Sequence, residues 1–238
     1  MHSSGWQCHR GGWVVGSRIE SLGASLPPGL AGIRRYKRTV IALLLGLCVL
    51  LSAVYLLRPA PVPDLAQGSA SDLARLKADW AAGEMIVLVR HVERCDHSNA
   101  SCQNTPDGIT DRARDVAVEL GAQFKHLGLS HTDLYNSPLT RAVQTSSYMF
   151  SSVTTGQDWL FNCKGTLLRD ALAHKVAGRN LVLVTHSECM AELEKELNVP
   201  GTRYGYGTAL FLSTAKGNAK AHLLGFLDAT DWRSVFTQ

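Results

Sequence analysis

Hydrophobic positions along the chain fall into a few patterned blocks. The first runs from Thr39 to Leu57, continuously apolar or small and free of charge. At about 1.5 Å per residue, roughly nineteen helical residues span nearly the whole hydrocarbon core of a bilayer. The second block, Met85-Ile86-Val87-Leu88-Val89, is rich in β-branched residues and reads as a buried strand of a parallel sheet. It stops abruptly at Arg90-His91. Leu181-Val182-Leu183-Val184 repeats the pattern and stops at Thr185-His186. Between them, Ala113, Val116, Ala117, Leu120, Phe124 and Leu127 recur at helical spacing after Thr110, a core-facing stripe. Thr132 to Asn136 reads as a short strand. Ser71 to Trp80 reads as a helix capped by Ser71, with Leu73, Leu76 and Trp80 on one face. Gly207–Thr214 and Ala219–Leu227, parted by Lys216-Gly217-Asn218, predict an antiparallel hairpin at a sheet edge. Trp232 and Phe236 are placed to tether the C-terminus.

These blocks organise the chain. The tail, residues 1–38, reads as cytoplasmic, and within it Met1 to Gly32 is Gly- and Ser-rich, with no sustained apolar period, and reads as poorly ordered. Arg34-Arg35-Tyr36-Lys37-Arg38 precedes the long apolar run, and basic residues stay on the cytoplasmic side. Residues 39–57 therefore predict a single-pass inner-membrane helix with everything after Arg58 on the periplasmic face. An uncleaved signal anchor is favoured over a long signal peptide, because the run exceeds a usual signal core and no clear small-x-small site follows directly. Ala60 and Ala66 keep the second reading open. Residues 58–70, with Arg58-Pro59-Ala60-Pro61-Val62-Pro63, form a stiff, extended linker. Residues 71–238 are left for the catalytic domain, about 170 residues and enough for one good core.

Charge and cysteine content narrow the classes. A formal net charge of +4, part of it in the short basic cluster, gives no reason to expect nucleic acid as a partner. Six cysteines are too few for a disulfide-built miniature fold. Cys95 and Cys102 lie close together in one polar loop. In an oxidising compartment a disulfide there would close a small ring beside the Arg90-His91 strand end. Cys95, His97 and Cys102 are also metal-ligand types, but their spacing fits no standard zinc pattern, so no metal and no cofactor is expected.

The candidate chemistry sits at the strand ends. In open α/β sheets, ligands meet the chain beyond the carboxyl ends of the strands. Arg90 can bind an anion there, and a neutral His91 with its second nitrogen held can attack one. Ser137-Pro138-Leu139-Thr140-Arg141 follows another strand, with Ser137 as a plausible N-cap and Pro138 at the first helical position. Arg141, in the first turn, would then lean back towards the strand ends. Any one of these residues alone is more often structural: a hydrogen-bonded histidine or a solvated arginine. Two histidines and two arginines delivered to equivalent places form a constellation. Arg203-Tyr204-Gly205-Tyr206 is a polar-aromatic loop that reads as a surface turn, with contact to substrate as the alternative.

These motifs resemble the histidine phosphatase superfamily. Arg90-His91 matches its opening motif, Ser137-Pro138-Leu139-Thr140-Arg141-Ala142-Val143-Gln144-Thr145 its helix start, and Thr185-His186 its second histidine, in the right order over most of Met85 to His186. Val92 stands where the family usually has glycine. Within the family, Arg90 to Asp96, Cys102 and Gly108-Ile109-Thr110 are similar to the Ais-type lipopolysaccharide core heptose(II)-phosphate phosphatases, and Cys163 and Cys189 have counterparts there.

The resemblance implies an α/β fold, three layers α/β/α around a mostly parallel sheet, phosphoglycerate mutase-like, plus the transmembrane helix. It implies a phosphomonoesterase in which His91 is the nucleophile, Arg90 and Arg141 bind the phosphoryl oxygens, and His186 assists as charge shifts. Glu188, two residues after His186, is the first candidate for proton donor. Glu93 is a candidate for substrate binding. Of the three pairings open to four cysteines, Cys95–Cys102 with Cys163–Cys189 is preferred. The implied substrate is a phosphorylated glycolipid or sugar. Alternatives are a broad-specificity or protein phosphohistidine phosphatase and, from another class, a phosphate-ligand binding module without turnover.

Overall fold

A computed structural model of the chain describes residues 29–151, 155–215 and 221–236. The tail up to residue 28 and the turn Lys216-Gly217-Asn218 lie outside the described residues. The chain divides after Arg58 into two compact units.

The first unit carries helix α1, Gly29–Leu56. It starts well before Thr39, so the basic cluster belongs to the helix rather than to a separate tail. Pro27-Pro28 precedes it, and no proline interrupts the sequence again until Pro59. Over Tyr36–Leu56, 21 residues, it is long and apolar enough to cross a membrane. Apolar side chains such as Leu43 and Leu47 are exposed.

The second unit is built on a six-stranded sheet of order β3-β2-β4-β1-β5-β6. The strands are β1 (Met85–Arg90), β2 (Thr132–Asn136), β3 (Thr155–Gly156), β4 (Asn180–Thr185), β5 (Ala209–Ser213) and β6 (His222–Leu227). Pairs β3–β2, β2–β4 and β4–β1 are parallel, and β5 and β6 close the sheet as the expected antiparallel hairpin. The helices are α2 (Ala70–Ala81), α3 (Asp111–Leu127), α4 (Thr140–Phe150), α5 (Leu167–His174), α6 (Ser187–Glu196) and α7 (Trp232–Phe236).

Alternation along the central strands explains the three layers. Met85, Val87, Val89, Val182, Val184 and Phe211 face one core, which Leu76, Trp80, Phe124, Met149 and Trp232 complete from α2, α3, α4 and α7. Ile86, Leu88, Leu181, Leu183, Leu210 and Leu212 face the other, against Leu167 and Ala171 of α5 and Met190 and Leu193 of α6. Both faces of the sheet are covered, so the central strands read as unbroken apolar runs. On α3 the expected stripe is buried at Ala113, Ala117, Leu120 and Phe124, while Val116 is exposed.

Two local expectations are corrected. The cap of α2 is Ser69, not Ser71: Ser69 Oγ accepts from Asp72 N–H and the Asp72 carboxylate accepts from Ser69 N–H, a capping box that the serine three residues before an acid completes. α4 starts at Thr140 rather than at Pro138. Ser137 N–H still donates to Val184 O at 2.9 Å, so the chain stays extended and sheet-paired up to the proline. The extended linker is docked on the sheet. Leu65 N–H donates to Phe226 O and Phe226 N–H to Pro63 O, each 2.9 Å, which covers the β6 edge. Gly225 permits this approach, since a Cβ there would stand 2.4 Å from Pro63 O.

Candidate active site

Strands β1 and β4 are parallel neighbours with Arg90 opposite Thr185, so the residues that follow them leave the same end of the sheet. Those residues are His91 and His186. Their ring centroids lie 5.3 Å apart, and each residue is 2% exposed. His91 N–H donates to Thr185 O at 2.9 Å, which carries the strand pairing one residue into the site.

The two rings differ in what holds them. His91 Nδ1 lies 2.8 Å from Val92 O. A carbonyl only accepts, so Nδ1 carries the hydrogen and Nε2 keeps its lone pair. Arg141 Nε donates to that Nε2 at 3.2 Å. Burial above all, with the charges of His186, Arg141 and Arg90, drives the His91 pKa down to about 3 against the opposing Val92 carbonyl. His186 Nε2 sits 2.7 Å from Ser137 Oγ, while its Nδ1 is buried with no hydrogen-bond partner among the described residues. Burial, then Arg141, lowers its pKa to about 4.

Two guanidiniums flank the rings, and a third acts on His186 through its charge. Arg90 donates to Tyr204 O, stacks at 4.1 Å on the Tyr206 ring, and keeps its Nε buried without a protein partner among the described residues. Burial lowers the Arg90 and Arg141 pKa values, the cost of holding cations in a partly dry pocket. The third is Arg94, clamped through two nitrogens by Asp96. Its charge is felt by Arg90, Arg141 and His186 alike. Such a set of forked donors is suited to a tetrahedral oxyanion.

The segment Arg203 to Gly207 is not the surface turn expected from its composition. The buried Glu194 carboxylate accepts from Thr202 N–H at 3.0 Å and from Tyr204 Oη at 2.6 Å, which fixes the loop over the strand ends. Gly207, at φ +75°, lets the chain turn so that its N–H reaches Arg90 O at 3.1 Å. Tyr206 then comes within 5.6 Å of the His91 ring.

The two carboxylates from the sequence reading are placed differently. Glu188, in the first turn of α6, interacts electrostatically with Arg90, Arg94, Arg141 and His186. Burial pushes its carboxyl up, but its own backbone N–H, Ser187, His186 and Arg141 together hold it below the usual range. Glu93 lies outside this cluster. Its carboxylate accepts from Arg112 Nε at 2.6 Å and Thr110 Oγ1 at 2.9 Å, and Arg112 above all lowers its pKa to about 2.

Two disulfides brace the surroundings. Cys95 is joined to Cys102, and Cys163 to Cys189, with Cα–Cα distances of 5.5 and 5.6 Å. The second ties the loop after Leu160 to α6 just beyond His186. Among the described residues, no group of three or more histidine, cysteine, aspartate and glutamate side chains is arranged to hold a metal ion.

Sequence reasoning singled out His91, His186, Arg90 and Arg141, and the structure brings all four together. It gave Arg94 no part in the site, ranked substrate contact by the Tyr206 loop below a surface turn, and read Ser137 only as a helix cap, where its hydroxyl also meets His186 Nε2. The only available signals were an arginine three residues after His91 and an aromatic flanked by glycines.

No family model matches the chain. Curated relatives do. One from Escherichia coli O1:K1, a lipopolysaccharide core heptose(II)-phosphate phosphatase, is 29% identical over 136 residues, 56% of this chain and 68% of the relative. One of the same name from Salmonella arizonae is 28% identical over 196 residues, 79% of this chain and 94% of the relative. The chain is similar to the heptose(II)-phosphate phosphatases. The resemblance drawn from its motifs is borne out by these relatives, and phosphatase, the expected class, is theirs. Among solved structures, a phosphoserine phosphatase from Entamoeba histolytica in complex with phosphoserine covers 62% of the chain and 98% of its own length at TM-score 0.49 and 14% identity. The protein histidine phosphatase SixA complexed with tungstate covers the same shares at TM-score 0.48 and 14% identity.

Proposed function

We propose that this phosphatase hydrolyses a phosphomonoester of a lipopolysaccharide core sugar through a phosphohistidine at His91, from the periplasmic face of the inner membrane with α1 as anchor. One observation carries the chemistry: the Val92 carbonyl holds the hydrogen of His91 on Nδ1, so Nε2 keeps its lone pair, within the field of Arg90 and Arg141. That nitrogen attacks phosphorus in line, the P–N bond forms, and the ester P–O bond breaks. Arg90, Arg94 and Arg141 bind the non-bridging oxygens, and His186 donates to them as negative charge builds. Arg141, which now donates to Nε2, turns to the phosphoryl group and frees the attacking lone pair. Water then cleaves the P–N bond and releases phosphate.

Glu188 is assigned as proton donor to the departing oxygen. Against burial, its carboxyl is held low by its own backbone N–H and Ser187, then by His186 and Arg141; an arriving phosphate dianion offsets the positive charges and raises it. Loss of the basic limb of the pH–rate profile in Glu188→Gln supports the assignment, and a retained limb removes it. The sugar substrate rests on the names of the relatives, and the apolar helix supports the anchor. Phosphate content of lipid A-core oligosaccharide, measured by mass spectrometry with and without the gene, tests the substrate. A higher phosphate count on heptose without the gene is expected, and an unchanged count overturns it. Hydrolysis of p-nitrophenyl phosphate by the wild type, absent in His91→Ala, separates an enzyme from a binding module.

A further inference from the structure

Beside the phosphate site lies a second cavity, of about 590 Å³, that the chemistry above leaves unused. Its volume is within the ordinary range for a small-molecule site. Its walls are polar: Glu93, Asp96, His97, Ser98, Asn99 and Arg112. We infer that it holds the hydroxyls of the sugar that carries the phosphate, or of its neighbour in the glycan, and so selects a phosphorylated oligosaccharide over other phosphomonoesters. The inference rests on the phosphatase reading and deepens it.

Three observations support this. First, the cavity is lined by the stretch of chain that follows the nucleophile, next to residues of the phosphate site. Glu93 follows the nucleophile by two residues, and Asp96 clamps Arg94, whose charge acts on Arg90, Arg141 and His186. A substrate phosphorylated at one site therefore extends naturally to the other. Second, the wall is pre-organised. The Cys95–Cys102 disulfide closes the loop, Cys95 N–H donates to Gly108 O at 2.9 Å, and Asp111 N–H donates to Ser101 O at 2.8 Å. A wall already ordered loses little entropy when a ligand binds.

Third, the charges select the ligand. Glu93 is paired with Arg112 and Asp96 with Arg94, so both carboxylates stay ionised and spare acceptor capacity remains on them. Arg112 and Arg94 are already paired with these carboxylates, so a second phosphate or a carboxylate would have to compete with them. An apolar group would find little to pack on. A hydroxyl, which both donates and accepts, matches carboxylate acceptors standing beside the Asn99 amide and the His97 ring. Neither of those two side chains has a hydrogen bond to another described residue, so both are available.

The test compares substrates. kcat/KM is measured for wild type, His97→Ala and Asn99→Ala on p-nitrophenyl phosphate and on a heptose-phosphorylated core oligosaccharide. Losing one hydrogen bond to a sugar hydroxyl is expected to lower the oligosaccharide value about tenfold per substitution. The p-nitrophenyl phosphate value is expected to stay within about twofold, which also reports an intact fold. Equal losses on both substrates, or no loss on the oligosaccharide, overturn the subsite. A wild type that hydrolyses p-nitrophenyl phosphate but ignores the oligosaccharide overturns the subsite and the glycan substrate and leaves the phosphatase standing. A wild type inert towards both overturns the phosphatase reading itself.

Discussion

The two histidine-bearing strand ends invite comparison because their sequences are so alike. Each is a buried apolar strand that stops at a histidine, and the two strands are parallel neighbours. Yet His91 has its Nδ1 hydrogen committed to a backbone carbonyl and its Nε2 exposed to a guanidinium, while His186 has Nε2 on a serine hydroxyl and Nδ1 unpartnered. The same residue type in the same kind of position is thus prepared for different work. The first ring is fixed neutral with the lone pair on Nε2, the state the proposed nucleophile needs, and the second keeps an unpartnered Nδ1. What separates them is one backbone carbonyl and one serine, not the histidines.

Substitutions that treat the two rings alike should break this asymmetry. Replacing His91 by Ala should lower kcat on p-nitrophenyl phosphate by on the order of 10⁴-fold or more, since no other lone pair takes its place. Replacing His186 by Ala removes charge stabilisation but leaves the nucleophile, and the expected loss in steady-state kcat is about 10²- to 10³-fold. Equal losses for the two would refute a division of labour.

Acid stability probes the same pair. Both folded-state pKa values, about 3 and about 4, lie below the ordinary histidine value of 6.5. Between those values and 6.5 the unfolded chain binds more protons than the folded one, so stability falls as pH drops through that window and is complete above it. At pH 5, relative to pH 8, each ring should cost about 2 kcal/mol. Thermal melts at both pH values should show His91→Ala and His186→Ala each losing part of the acid-induced drop in Tm; a drop unchanged in both variants would contradict the buried neutral rings.

The smallest effect is expected at Ser137. Ser137→Ala leaves His186 Nε2 without its partner and should lower kcat about tenfold, without abolishing formation of the phosphoenzyme. A loss as deep as that of His91→Ala would show that the serine does more than orient the second ring.

Much of this site was legible from residue types in order. The strands were readable because both faces of the sheet are covered and every position must be apolar, and the strand ends then drew attention to Arg90, His91 and His186. Arg141 was readable because a helix start fixes where its side chain leans. The remainder depended on contacts that carry no residue signature. Arg90 is held by the carbonyl of Tyr204, and any residue supplies a carbonyl. Tyr206 looked like a surface aromatic because nothing local shows that Glu194 and Gly207 bend its loop over the strand ends. Ser137 has the composition of a helix cap, and only the extended backbone before Pro138 diverts it to His186. The docking of the linker on β6 had no signature because it uses backbone groups of Pro63 and Leu65. The unequal tautomer control of the two histidines was invisible for the same reason.

The most direct measurement is to trap the phosphoenzyme by rapid quench of wild type and His186→Ala with p-nitrophenyl phosphate, and to map the phosphate by mass spectrometry. The expected result is an acid-labile, base-stable phosphate on Nε2 of His91 in both proteins. Phosphate on His186, or turnover with no adduct at His91, would contradict it.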